Sequence, residues 1–162
     1  MNFSGITNTG TIGKLLRLPL HLIPKGMPIP IVQGRLKGKF WVIGASTHGC
    51  WLGSYEYEKQ QLFRQLIMPG SVVFDIGANV GFYTLLASVL VGRQGSVVAF
   101  EPLPRNLSYL HRHLTLNHIE NVKVVGDAVA DKAGTVTFDT GGNPSVGRIN
   151  SGGSLQVNTI AL

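Results

Sequence analysis

The stretch Val72-Val73-Phe74-Asp75-Ile76-Gly77-Ala78-Asn79-Val80-Gly81-Phe82-Tyr83-Thr84 decides the fold. Its first half is a short apolar, β-branched run, the pattern of a parallel strand buried on both faces. Its second half carries Gly77 and Gly81, which let the backbone pass close to a ligand and turn into a helix. That helix is expected from about Val80 to Val91, stopped by Gly92. Further along, the pattern repeats: a strand over Ser96–Phe100, a helix over Pro104–Leu116 with Pro in its first turn, and a strand over Val122–Val125. Strands at Gly134–Phe138 and Leu155–Ile160 follow, separated by a glycine-rich loop from Gly141 to Gly153. Short strands alternating with helices predict an α/β protein with a doubly wound, mostly parallel, Rossmann-like sheet.

Sheets of this kind bind nucleotides at the carboxyl ends of their strands. The glycine spacing is GxxxG, not the GxGxxG of dinucleotide sites. Asp75 would repel a pyrophosphate aimed at the following helix, so it favours a cofactor without phosphate and with positive charge. S-adenosylmethionine, with its ammonium and sulfonium, meets that description. Glu101 closes the second strand twenty positions beyond Gly81, the separation of an acid that accepts hydrogen bonds from ribose hydroxyls. Asp127 follows the third strand, where a carboxylate could accept an adenine amino group. Each acid alone is as easily a turn residue. Three acids at the ends of three successive strands form a constellation, and the constellation carries the reading.

Taken with Val98-Ala99-Phe100-Glu101-Pro102-Leu103-Pro104-Arg105-Asn106, Leu116-Asn117, Asn121-Val122 and Trp51-Leu52-Gly53-Ser54-Tyr55-Glu56, this stretch resembles the FkbM-type methyltransferases. The resemblance spans roughly Gly49 to Leu162. It implies a class I methyltransferase fold with S-adenosylmethionine as cofactor. Asp75, Gly77, Asn79 and Gly81 would then lie at the methionine end, Glu101 at the ribose and Asp127 at the adenine, with Ala78, Pro102 and Ala128 also among the cofactor-binding residues. Tyr55, Tyr83 and Thr84 are weaker candidates for the pocket wall. The implied reaction is O-methylation of a small molecule or glycan. The resemblance also implies a fourth parallel strand with an acidic motif, which does not follow Ile160 before Leu162. The methyltransferase domain, 55–162, is therefore expected to be truncated, with Val72-Val73-Phe74 an apolar edge open to self-association. A noncatalytic fragment is the alternative reading.

Residues 1–54 are expected to form an N-terminal extension of short strands and loops. Pro19, Pro24, Pro28 and Pro30 break up Met1–Gly34, Arg35–Ile43 has strand character, and Thr47–Tyr55 reads as a loop. A helix is expected over Tyr55–Met68, with Leu62, Phe63, Leu66 and Ile67 as its apolar stripe.

Composition sets the outer limits. With 162 residues, 44% of them apolar and a mean hydropathy of +0.20, the chain suits one folded domain. No apolar run reaches the roughly 20 residues that span a bilayer. No signal peptide is visible, and a lone cysteine, Cys50, excludes an internal disulfide, so a cytoplasmic protein is expected. Cys50 reads as a packed residue and no metal site is expected. The net charge of +6 belongs to the first third, where Lys14, Arg17, Lys25, Arg35, Lys37 and Lys39 precede the first acid, Glu56. An RNA-directed methyltransferase is therefore a third reading, although these cations lack the interleaved aromatics of an RNA-recognition strand. Among candidate bases, His111 and His113 are expected on an exposed helix face and His48 in the glycine-rich loop. No general base is assigned.

Overall fold

The computed structural model describes residues 23–139, 147–149 and 152–162. The chain divides into two units, Met1–Leu66 and Ile67–Leu162. Among the described residues no helix is long and apolar enough to cross a membrane.

In the first unit, strands β1 (Pro28–Pro30) and β2 (Phe40–Val42) pair antiparallel, with Ile29 opposite Trp41. The expected strand over Arg35–Ile43 shrinks to three residues. Lys37 N–H bonds to Gly34 O and Lys39 N–H to Leu36 O, so Arg35–Lys39 turns back instead of extending. The loop expected at Thr47–Tyr55 contains a short helix, α1 (His48–Leu52). Gly53 ends it at φ 74°, packed so tightly that a Cβ there would lie 2.3 Å from Gln33 O. Helix α2 (Tyr57–Leu66) follows, shorter than expected at both ends. Its apolar stripe is not a buried face: Leu62 and Leu66 are exposed, and the buried residue of the helix is Gln60. The core of the unit is instead Ile31, Leu36, Trp41, Val42, Ile43 and Cys50.

The second unit is built on the expected alternation. Strands β3 (Val72–Ile76), β4 (Ser96–Phe100) and β5 (Val122–Val125) form a parallel sheet in that order. Helix α3 (Phe82–Val91) joins the first pair and α4 (Pro104–Leu116) the second. The register sets Asp75 beside Ala99, Ile76 beside Phe100, and Phe100 beside Val125. All three strands therefore end at one edge, and the loops that follow emerge together. Ala87 and Val91 of α3 pack on Val97, flanked by Ile67, Val73 and Val122. Asn121 fastens this layer: its Nδ2 donates to Ser88 O and Gly92 O, and its Oδ1 accepts from Ser88 Oγ at 2.6 Å.

The expectation that β3 is buried on both faces is corrected. Val73 packs in the core, but Val72, Phe74 and Ile76 on the opposite face are each more than half exposed. Among the described residues β3 is an edge strand of its sheet, as the apolar-edge reading of Val72-Val73-Phe74 anticipated. A second sheet contains β6 (Ala128–Val129), β7 (Gly134–Asp139), β8 (Arg148–Ile149) and β9 (Leu155–Ile160), ordered β6-β9-β7-β8. Its β6–β9 pair is parallel, while β7 pairs antiparallel with β8 and β9. Within the segment expected as a glycine-rich loop, Arg148–Ile149 is strand, and residues 140–146, 150 and 151 lie outside the described residues.

Candidate cofactor site

The site begins with a backbone constraint. Gly77, Asn79 and Gly81 all have positive φ, at 77°, 51° and 91°. Three left-handed residues in five coil the chain tightly between β3 and α3. The N–H groups of Gly77 and Ala78 both donate to Phe100 O at 2.9 Å, tying the coil to the end of β4. Asn79 stabilises its own conformation by accepting Val80 N–H on Oδ1 at 2.8 Å. Gly81 cannot be replaced quietly, because a Cβ there would lie 2.5 Å from Leu110 Cδ1 on α4.

Glu101 is the organiser of this loop. Its side chain is buried, and three donors converge on the carboxylate. Asn79 N–H reaches Oε2 at 2.8 Å, while Leu103 N–H and Asn106 Nδ2 reach Oε1 at 3.0 and 3.2 Å. One acid thus joins the β3–α3 loop to the first turn of α4. A carboxylate can accept about four hydrogen bonds, so Oε2 keeps capacity for a ligand hydroxyl.

Asp75 sits at the end of β3 and accepts the Thr84 hydroxyl on Oδ2 at 2.5 Å. Burial raises its pKa, and the Thr84 hydrogen bond works in the opposite direction. An ionised Asp75 here is under-compensated: it faces one neutral donor in a partly dry site. A cationic ligand group would supply what is missing.

Beside these acids lies a cavity of about 290 Å3. Of the expected site residues, Gly77, Asn79, Glu101, Pro102 and Ala128 line it. Ala78 is buried behind the loop, Thr84 is fully buried and spends its hydroxyl on Asp75, and Tyr83 packs edge-on against Phe82. Asp75, Gly81 and Asp127 do not form part of the cavity wall. The wall includes residues that sequence reasoning missed: Ile76, Phe100, Leu103, Asn106, Val129, Phe138 and Gly147. Asn106 was legible in principle, as the polar residue of an apolar helix face five positions after Glu101. Phe138 was not, because strand pairing across β7, β8 and β9 brings it there. Together they make an apolar slot with a carboxylate at one side, suited to a flat heterocycle attached to a polyol.

The histidines fall differently from expectation. His111 is exposed as expected, but His113 is completely buried. Its Nδ1 lies 2.7 Å from Val80 O; a carbonyl only accepts, so Nδ1 carries the proton. Burial depresses its pKa to about 4, with Arg112 adding to the effect. Its place on the helix accounts for this, since position 113 lies beside the buried Leu110 and Leu114. In the first unit, His48 Nδ1 accepts Trp51 Nε1 at 3.0 Å. Cys50 is buried and its thiol is pushed up to about 11 by that burial, which makes it a packed residue and not a nucleophile. Tyr55 is half-buried, and burial raises its pKa. Among the described residues no group of three His, Cys, Asp or Glu could hold a metal.

No protein-family model and no curated protein matches the chain. Among solved structures it is similar to a SAM-dependent methyltransferase from Aquifex aeolicus, at 23% identity and a TM-score of 0.40 over 51% of this chain and 43% of that one. It is similar to an rRNA methylase from Streptococcus thermophilus at 20% identity and a TM-score of 0.41, covering 45% of this chain and 39% of the other. A protein-L-isoaspartate O-methyltransferase aligns at 28% identity and a TM-score of 0.40, over 43% of this chain and 22% of its own length. The chain therefore spans less than half the length of these structures. At this degree of superposition no residue role passes across, and the chemistry of the site stands on its own geometry.

Proposed function

We propose that Ile67–Leu162 is the S-adenosylmethionine-binding part of a methyltransferase of the FkbM type, acting on a hydroxyl of a small molecule or glycan in the cytoplasm. The observation that carries this reading is the buried Glu101 carboxylate on the wall of an apolar slot, with Asp75 at the end of the neighbouring strand. Adenine fits the chemistry of Ile76, Leu103, Ala128, Val129 and Phe138, and the ribose hydroxyls fit the remaining capacity of Glu101. The ammonium of the methionine moiety fits the charge that Asp75 presents. A dinucleotide suits the site less well, because Asp75 stands where its pyrophosphate would need positive potential.

When bound, this cofactor supplies an electrophilic methyl group; the protein supplies position and exclusion of water. Glu101 holds the loop and α4 in one arrangement before any ligand arrives, so little ordering remains to be done on binding. Thr84 orients Asp75 from the first turn of α3. The acceptor class rests on the resemblance of the two motifs, Asp75–Thr84 and Val98–Asn106, to that family.

Calorimetry with S-adenosylhomocysteine and with NAD tests the proposal. Saturable binding of the first and none of the second is expected, with Glu101→Gln weakening it about tenfold or more. Preferential NAD binding would sink the reading.

A further inference from the structure

The N-terminal unit contains a second cavity, of about 500 Å3, lined by Gln33, Arg35, Tyr57, Gln60, Gln61 and Arg64. That volume lies in the range of small-molecule sites. Its wall sets two guanidiniums among neutral polar side chains. No Asp or Glu lines it, and neither guanidinium is held in an ion pair with a carboxylate among the described residues. Gln61 Oε1 is engaged by Arg64 Nη1 at 3.0 Å, which leaves the Gln61 amide N–H groups and the other Arg64 donors. Gln33 Nε2 is shut off from solvent and is therefore not among the donors that the cavity offers a ligand. Gln60 is the fixed element: its Nε2 donates to Tyr55 O at 2.6 Å, anchoring α2 to the turn before it. The surrounding charge has the same sign, since residues 23–66 hold six Lys and Arg against two Glu.

We propose that this cavity binds the phosphate group of a small phosphorylated ligand, with Arg35 and Arg64 as its charged partners. Two guanidiniums with the Gln61 amide and the Tyr57 hydroxyl on the same wall offer more donors than one carboxylate can use and suit the oxygens of a phosphate. The concave, single-aromatic wall favours a small ligand over a nucleic-acid strand, which would use stacking along an open groove. The site lies wholly in the first unit and does not depend on the cofactor reading of the second.

The test is titration of the full chain with inorganic phosphate, glucose 6-phosphate and glucose, followed by calorimetry. Phosphate should bind saturably, glucose 6-phosphate at least as tightly, and glucose not at all. Arg35→Ala and Arg64→Ala should each weaken phosphate about tenfold. Arg64→Lys should restore part of that loss, and Lys59→Ala should leave affinity unchanged, because Lys59 is paired with Glu56 outside the cavity wall. Thermal melts identify a variant that fails to fold, and the remaining arginine variant then decides. Absence of saturable phosphate binding, or equal affinity in the wild type and the Arg35→Ala/Arg64→Ala double variant, would overturn the proposal. So would tight binding of a single-stranded RNA that is lost on replacing Lys37 and Lys39 but not the two arginines.

Discussion

Two residues on α4 show how much of the loop's conformation is decided from outside it. His113 donates to Val80 O from a fully buried position, and its pKa of about 4 keeps it neutral throughout the physiological range. The unfolded chain, with an ordinary histidine pKa near 6.5, takes up a proton at higher pH than the fold does. The stabilisation is therefore complete above about pH 6.5 and is lost as pH falls towards 4, by roughly 3 kcal/mol in total. Denaturant midpoints measured from pH 7 to pH 4 should fall accordingly, and His113→Gln should flatten that slope; an unchanged slope would show that His113 does not titrate as described. Leu110, one turn earlier, sets the second constraint. Gly77 and Gly81 share a left-handed φ, but a Cβ at Gly77 meets nothing within 4 Å, whereas one at Gly81 would overlap Leu110. Gly77→Ala should cost only the backbone strain of about 1–2 kcal/mol, and Gly81→Ala clearly more, by thermal or urea unfolding. Equal costs would mean that Leu110 swings away freely.

At the scale of elements, the parallel strands and their helices were legible because each carries a local signature. The β4, α4, β5 and β9 boundaries coincide with the hydrophobic runs and their Pro, Gly and Asn punctuation. What stayed hidden was decided by pairing over distance. β2 is three residues long because Gly34 and Gly38 adopt left-handed turns, a choice that alternation of Lys and apolar residues does not reveal. α1 is a single turn and a half, below the length at which periodicity speaks. The apolar positions of α2 predicted a buried stripe, yet Gln60 is the residue that enters the interior, drawn by the carbonyl of Tyr55. Of the three strand-end acids visible in the sequence, Glu101 lines the cavity and Asp75 and Asp127 do not, while Asn106 and Phe138 required the third dimension. Asn121 shows the same limit: its motif was noticeable, its purpose was not. It clamps the C-terminal turn of α3 through Ser88 and Gly92. Asn121→Ala should take the side-chain donor from Gly92 O and the acceptor from the Ser88 hydroxyl, while Ser88 O keeps the Gly92 N–H, and cost about 1–3 kcal/mol. Hydrogen exchange should speed up first at the end of α3; a uniform acceleration across the unit would argue that the clamp is global.

Across the whole chain, charge is divided as the chemistry is. The first unit carries the basic excess and a cavity lined by two arginines, while the second places two of its acids, Asp75 and Glu101, at the ends of β3 and β4. Ligands of opposite sign are therefore expected for the two units, and binding linkage makes this measurable in one molecule. S-adenosylhomocysteine at a hundredfold excess over its Kd should stabilise the second unit by about 2.7 kcal/mol. That increment depends on Asp75 being ionised to meet the ligand's ammonium. Burial raises the Asp75 pKa, so affinity declines as pH falls through that raised value. Asp75→Asn should lower the affinity about tenfold at pH 7 and abolish its decline in acid, with Thr84 still able to donate to the amide oxygen. Thermal shifts with and without ligand at pH 7 and pH 5, for wild type and Asp75→Asn, separate these outcomes. A wild-type shift that is independent of pH, or an Asp75→Asn shift equal to it, would remove Asp75 from the binding site and leave Glu101 as the sole acid recognising the ligand.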